Sequence, residues 1–185
     1  MTRVRRGYVE GMGSVVLSTQ MTIDGVITVD QWFAAAGDHD AATRALFEGS
    51  AGMLLGRKTY EDLAGYWPNE TGPWADLINP MPKFVASRTL EEPLEWNASL
   101  IEGDALEGVP ALKEREGDLA MVGCGELART LVEHGLIDEL WFWVHPAVWG
   151  AGERPFRSEA RTSLELMSSE QFDSGVALQR YRPTS

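Results

Sequence analysis

The chain predicts a single-domain α/β fold: a mainly parallel central sheet of about eight strands, helices on both faces and an antiparallel C-terminal edge. Three observations carry this reading. Short apolar runs alternate with stretches of helical length, the order of successive βα units. The run at residues 140–144, Leu-Trp-Phe-Trp-Val, is apolar throughout, as in a strand buried on both faces. The last two runs follow each other with no helix between them, which fits a hairpin at the sheet edge. With 185 residues, 44% of them apolar, the chain suits one domain with a substantial core.

In chain order, strands are expected at residues 14–19, 52–55, 83–86, 99–102, 119–122 and 139–144, with two more near 163–168 and 176–181. Helices are expected at 41–48, 59–64, 106–116 and 126–135. Residues 66–82, rich in Trp, Pro, Gly and Asn, read as a long irregular loop, and such loops are often functional. Residues 1–13 carry Arg3, Arg5 and Arg6 but no apolar core, so they read as a flexible extension and not as a secretory signal. The domain then spans 14–185. The aromatic run at 140–144 leaves two placements open: the sheet centre, or one face against a second subunit.

The densest chemistry lies in residues 119–146. A short apolar run enters Gly123-Cys124-Gly125, a helix starts at Glu126, and the chain returns through 140–144. A strand, a glycine turn and a helix N-terminus form a phosphate cradle, because the first helical N–H groups and the helix dipole favour negative charge. Gly123-x-Gly125-x-x-Ala128 also fits a Rossmann fingerprint. That unit needs a carboxylate roughly 20 residues further on, whereas the next strand ends in His145-Pro146. The bland alternative is a tight turn that holds no ligand.

Two other strand ends point the same way. Met53-Leu54-Leu55 runs into Gly56-Arg57-Lys58-Thr59, and Phe84-Val85-Ala86 into Ser87-Arg88-Thr89. Small, hydroxyl and cationic residues bind phosphate oxygens, and ligands of parallel sheets gather beyond the carboxyl ends of the strands. The formal net charge is −12 with only 16 Lys and Arg, so three cations on two strand ends stand out from the background. The same acidic balance argues against nucleic acid. No apolar run has the length of a membrane helix. Cys124 is the only cysteine, which excludes an intrachain disulfide and suits a reducing cytoplasm. Between two glycines it reads as a small filler. No His and Cys cluster suggests a metal.

Four motifs in order resemble one family. Ser18 to Gly25 is similar to a first strand and its S-x-D-G loop, Leu55 to Glu61 to a GRxTYE segment, Val85 to Leu90 to an SRTL segment, and Val122 to Leu140 to a glycine turn, helix and IDEL ending. Together they resemble the dihydrofolate reductase-like superfamily, most closely the C-terminal reductase domain of the bifunctional deaminase-reductases of riboflavin biosynthesis. The resemblance implies NADPH. It places Arg57, Lys58, Ser87 and Arg88 near the 2′-phosphate. Thr59 and the backbone from Gly123 through Cys124 and Gly125 to Glu126 fall near the pyrophosphate, with Gly56, Val122 and Leu127 alongside. Glu126 suits a helix start, and its charge is expected to turn away from the phosphates.

The same resemblance makes Asp24 the acid of a loop that closes over the nicotinamide, a candidate for catalysis and for substrate contact. The plain alternative is that Asp24-Gly25 is a common turn pair. Trp32 is a candidate aromatic wall or a core residue, and Trp67 or Trp74, in the 66–82 loop, is a candidate for the pocket lining or for a subunit contact. Asp38 and His39 are further candidate proton donors. His134 reads as structural near a helix C-terminus, and His145, at a strand end before Pro146, reads as structural with a place in the site lining as the alternative. Two departures stand out. Dihydrofolate reductases place a carboxylate on the first helix, where this chain offers several acids between Gly37 and Arg44. The pyrimidine reductases carry a glutamate just before the glycine turn, where this chain has Val122. The implied activity is hydride transfer from NADPH to a small heterocyclic (pterin- or pyrimidine-like) or carbonyl substrate. The alternative is a non-catalytic nucleotide-, flavin- or pterin-binding module on the same scaffold. The resemblance also implies a homodimer.

Overall fold

The computed structural model describes residues 13–33, 37–156 and 161–184. Residues 1–12, most of the expected extension, lie outside them. The eight strands are β1 (Val15–Thr22), β2 (Gly52–Gly56), β3 (Lys83–Ala86), β4 (Ala98–Leu100), β5 (Leu119–Val122), β6 (Glu139–His145), β7 (Ser163–Gln171) and β8 (Ala177–Thr184). They form one sheet in the order β4-β3-β2-β5-β1-β6-β8-β7. The six strands from β4 to β6 run parallel, and β8 and β7 add antiparallel at one edge. Every parallel strand therefore delivers its carboxyl end to the same rim.

The continuous apolar runs are explained by burial on both sides. Met53 and Leu55 face one core, with Phe47 of α1 (His39–Glu48), Tyr60 of α2 (Arg57–Tyr66) and Ile78 of α3 (Pro73–Ile78). Leu54, between them, faces the other core, with Leu112 of α4 (Ala105–Glu116) and Leu131 of α5 (Glu126–Glu133). Leu54 is fully buried, and truncating such a leucine to alanine costs about 2–5 kcal/mol. The aromatic run resolves in the same way. β6 lies inside the sheet between β1 and β8, with Phe142 and Trp143 buried and Trp141 beneath the Arg180 guanidinium at 4.1 Å. Its apolar character reflects the sheet interior.

The stretch at 66–82 is more ordered than expected. It holds a 3-10 turn (Trp67–Asn69) and α3. Gly72, at φ +107°, makes the sharp entry that a side chain would resist, and Pro73 starts the helix with its fixed φ. Six residues are too few to show a helical period. The far end of α3 is closed by Lys83, whose ammonium donates to the carbonyls of Ile78 (2.5 Å) and Asn79 (3.0 Å).

A candidate dinucleotide cleft on the strand rim

A cleft of about 430 Å³ opens where β2, β3 and β5 end. Its floor is the junction of two helix starts. Gly56 caps α2 and Gly125 caps α5, and at neither end does a cap side chain accept a hydrogen bond from the first turn. A helix leaves its first four N–H groups without intrahelical partners. Two such ends meeting at one cleft give a concentrated set of donors for a charged diphosphate. Gly123, at φ +79°, lets the chain turn between β5 and α5.

The outer end of the cleft is cationic. Arg57, Lys58, Ser87 and Arg88 all line it. Arg57 also pairs with Glu61 one turn later at 3.0 Å, which neutralises part of its charge. Lys58 and Arg88 pair with no carboxylate among the described residues. Thr59, Val122 and Leu127 line the inner part beside the glycines. Glu126, exposed at the start of α5, lines the cleft with the glycines, as the expected cofactor set has it. Its first-turn position favours the helix dipole.

Cys124 lies between the two glycines of the turn, and its side chain packs inward as the small filler expected there. Its side chain is buried among Leu17, Ala128 and Leu131 and does not line the cleft. Burial pushes its thiol up to about 11, against the opposing pull of the Thr19 hydroxyl and Arg129. At that value it is a packed thiol and a poor nucleophile. The opposite wall had no counterpart in the sequence reading. Ile101 and Gly103, between β4 and α4, and Leu106 in the first turn of α4 complete it, and Asp104 caps α4 by accepting from the Leu106 N–H at 2.9 Å. The Gly103-Asp104 pair at the end of a short strand was the available signal.

The expected substrate residues lie elsewhere. Trp32 is buried, donates from Nε1 to the Thr28 carbonyl (2.8 Å) and packs edge-on against His145 (5.1 Å). Trp67 is half-buried and packs edge-on against Tyr66 (5.2 Å). Neither lines the cleft. Asp24, just beyond β1, accepts from the Thr22 hydroxyl (2.6 Å) and from the amides of Trp149 (3.0 Å) and Gly150 (2.8 Å). Those donors, the Thr22 hydroxyl first, hold its carboxyl down at about 2. An acid so low is ionised near neutral pH and does not suit the expected proton-donating role.

The other candidate donors are also engaged. Asp38 accepts from the amides of Asp173 and Ser174. Asp40 accepts from Trp74 Nε1 at 2.7 Å. His39 is buried against Trp143 and Phe172, with Nδ1 3.0 Å from the Ser174 hydroxyl. His134 closes α5, its Nδ1 2.8 Å from the Thr130 carbonyl, the structural role expected. Among the described residues no group of three or more His, Cys, Asp or Glu is placed to hold a metal. No described helix is long and apolar enough to cross a membrane.

Comparison with known proteins places this arrangement. The chain is 32% identical over 131 residues to the uncharacterized protein YyaP of Bacillus subtilis (strain 168), covering 67% of this chain and 69% of that protein. A putative riboflavin biosynthesis protein from Shewanella sp. PV-4 superposes with a TM-score of 0.77 at 21% identity, over 93% of this chain and 99% of that one. The diaminohydroxyphosphoribosylaminopyrimidine deaminase/5-amino-6-(5-phosphoribosylamino)uracil reductase of Thermotoga maritima does so with a TM-score of 0.66 at 15% identity, over 94% of this chain and 57% of that longer one. Residues 13–178 match the model of the RibD C-terminal domain. With eight strands in this order and nearly the whole chain matched, the protein belongs to the RibD C-terminal domain family, with its dihydrofolate reductase-like fold.

Proposed function

We propose that this chain is an NADPH-dependent reductase that transfers hydride to a small heterocycle of pyrimidine or pterin type, or to a related carbonyl compound. The observation that carries the reading is the convergence of two open, glycine-capped helix starts on one cleft whose outer end holds Arg57, Lys58 and Arg88. The spacing of features suits the cofactor: backbone donors for a diphosphate, and cations further out for the extra phosphate that distinguishes NADPH from NADH. Bound there, the cofactor supplies the hydride, and the protein's part is binding, orientation and exclusion of water. Gly56, Thr59 and the backbone of Gly123, Gly125 and Glu126 hold the diphosphate. Lys58, Ser87 and Arg88 hold the 2′-phosphate, with Arg57 contributing less. Membership of the RibD C-terminal domain family and the reductase named among the structural neighbours support the substrate class.

A second reading is favoured by a specific observation. Asp24, Asp38 and Asp40 spend their carboxylates on structural donors, and Val122 stands at the end of β5. A protein that binds the dinucleotide without chemistry fits those facts. Titration with NADPH and NADH, followed by cofactor fluorescence, tests the site. Oxidation of NADPH with pyrimidines, pterins and quinones then separates enzyme from binder. No binding of NADPH defeats both readings, and binding without turnover leaves the second.

We further propose that a second copy of the chain covers β7. All nine residues of this edge strand are exposed, Leu164, Leu166 and Met167 among them, with neither lysine nor proline to guard the edge. Sedimentation of the full chain tests this, and a monomer at all concentrations rejects it.

A further inference from the structure

Arg129 is the fourth residue of α5, and its guanidinium is spent on two backbone carbonyls. Nε donates to Pro155 (3.0 Å) and an Nη to Cys124 (3.3 Å). It pairs with no carboxylate among the described residues, in a chain with 28 acids to 16 cations. Both carbonyls belong to segments that matter for the cleft. Cys124 lies inside the glycine turn. Pro155 ends the segment that leaves β6, and that segment is zipped to the loop after β1. The Ile23 amide donates to the Ala147 carbonyl (2.9 Å) and the Ile27 amide to the Glu153 carbonyl (2.8 Å). Asp24 holds the Trp149 and Gly150 amides.

The consequence for the turn is geometric. In a trans peptide the C=O and the following N–H point in opposite directions. A guanidinium that pins the Cys124 carbonyl thereby fixes the Gly125 N–H on the other side, and Gly125 lines the cleft. We propose that Arg129 is a positioning residue for the cofactor. It sets the Gly125 N–H toward the diphosphate and couples occupancy of the cleft to the order of the two joined rim loops. This rests on the dinucleotide reading above.

The test uses the full chain, with calorimetric titration of NADPH and of adenosine 2′-monophosphate, which carries the distinguishing phosphate but no diphosphate. In Arg129→Met the NADPH affinity falls about tenfold, the effect of one charge-assisted hydrogen bond. The monophosphate affinity stays within about twofold. Arg129→Lys keeps the charge and recovers part of the loss. Hydrogen exchange adds a second readout: NADPH slows exchange at the Trp149 and Gly150 amides in the wild type and not in Arg129→Met. Equal losses for both ligands overturn the proposal, because general destabilisation has no preference for the diphosphate. Unchanged NADPH affinity overturns it too, as does identical protection of the two amides in both proteins. A wild type that binds the monophosphate but not NADPH, or neither, defeats the dinucleotide reading itself, and this inference with it.

Discussion

Gly123 and Thr59 face each other at the base of the cleft: a β-carbon on Gly123 would stand 3.3 Å from the Thr59 hydroxyl oxygen. The glycine is needed twice over, for that approach and for its φ of +79°. Gly123→Ala therefore costs about 1–2 kcal/mol of folding stability, and it pushes the turn away from Thr59, where the diphosphate is to lie. The expected result is a melting temperature lower by a few degrees and a clear loss of NADPH affinity. An alanine variant that binds NADPH as the wild type does would show that this approach has no part in binding.

The three cations at the outer end are unequal. Lys58 and Arg88 are uncommitted to any carboxylate among the described residues, whereas Arg57 is held by Glu61. Replacing Lys58 and Arg88 together by alanine should raise the NADPH dissociation constant about ten- to hundredfold, at roughly 1.5–3 kcal/mol for hydrogen bonds to a charged phosphate. NADH should bind as before. Glu61→Gln frees Arg57 and should tighten NADPH by about twofold, the scale of an exposed pair. Parallel losses for both dinucleotides would place the two cations outside any 2′-phosphate site.

Much of this was legible in the sequence because periodicity reports burial. The runs at Met53–Leu55 and Leu119–Val122 are apolar at every position since both faces of the sheet are covered. The cationic ends of β2 and β3 stood out against an acidic chain. The missing parts share a cause: they depend on where distant residues meet. Arg129 and Pro155, 26 positions apart, meet only through the fold. The β4–α4 wall rests on a strand of three residues, and α3 on a helix of six, both too short to carry a period.

Asp24 joins two loops, and its variants should show it. Asp24→Asn keeps one acceptor oxygen and loses the charge that draws both the Trp149 and Gly150 amides. Those two amides should exchange faster in the variant. Any reductase activity should fall without a shift of its pH profile between about pH 5 and 9, since a carboxyl held at about 2 does not titrate there. A variant whose profile loses an ionisation in that window would restore Asp24 as the acid.

His145 gives the fold an acid limit. It is 1% exposed, with Nε2 on the Gln20 side-chain oxygen (2.7 Å) and Nδ1 without a partner. Burial first, and the neighbouring His39 second, push its pKa down to about 4 from 6.5. The unfolded chain then takes up a proton as pH falls through 6.5, while the folded chain resists until about 4. Its contribution to stability is complete above pH 6.5 and declines through that window, by as much as roughly 3 kcal/mol at its lower end. Urea unfolding at pH 7.5 and 4.5 should therefore differ more for the wild type than for His145→Gln, which keeps a donor for Gln20 and cannot titrate. If the two proteins lose stability in parallel, the acid sensitivity belongs to carboxylates elsewhere and not to this buried imidazole.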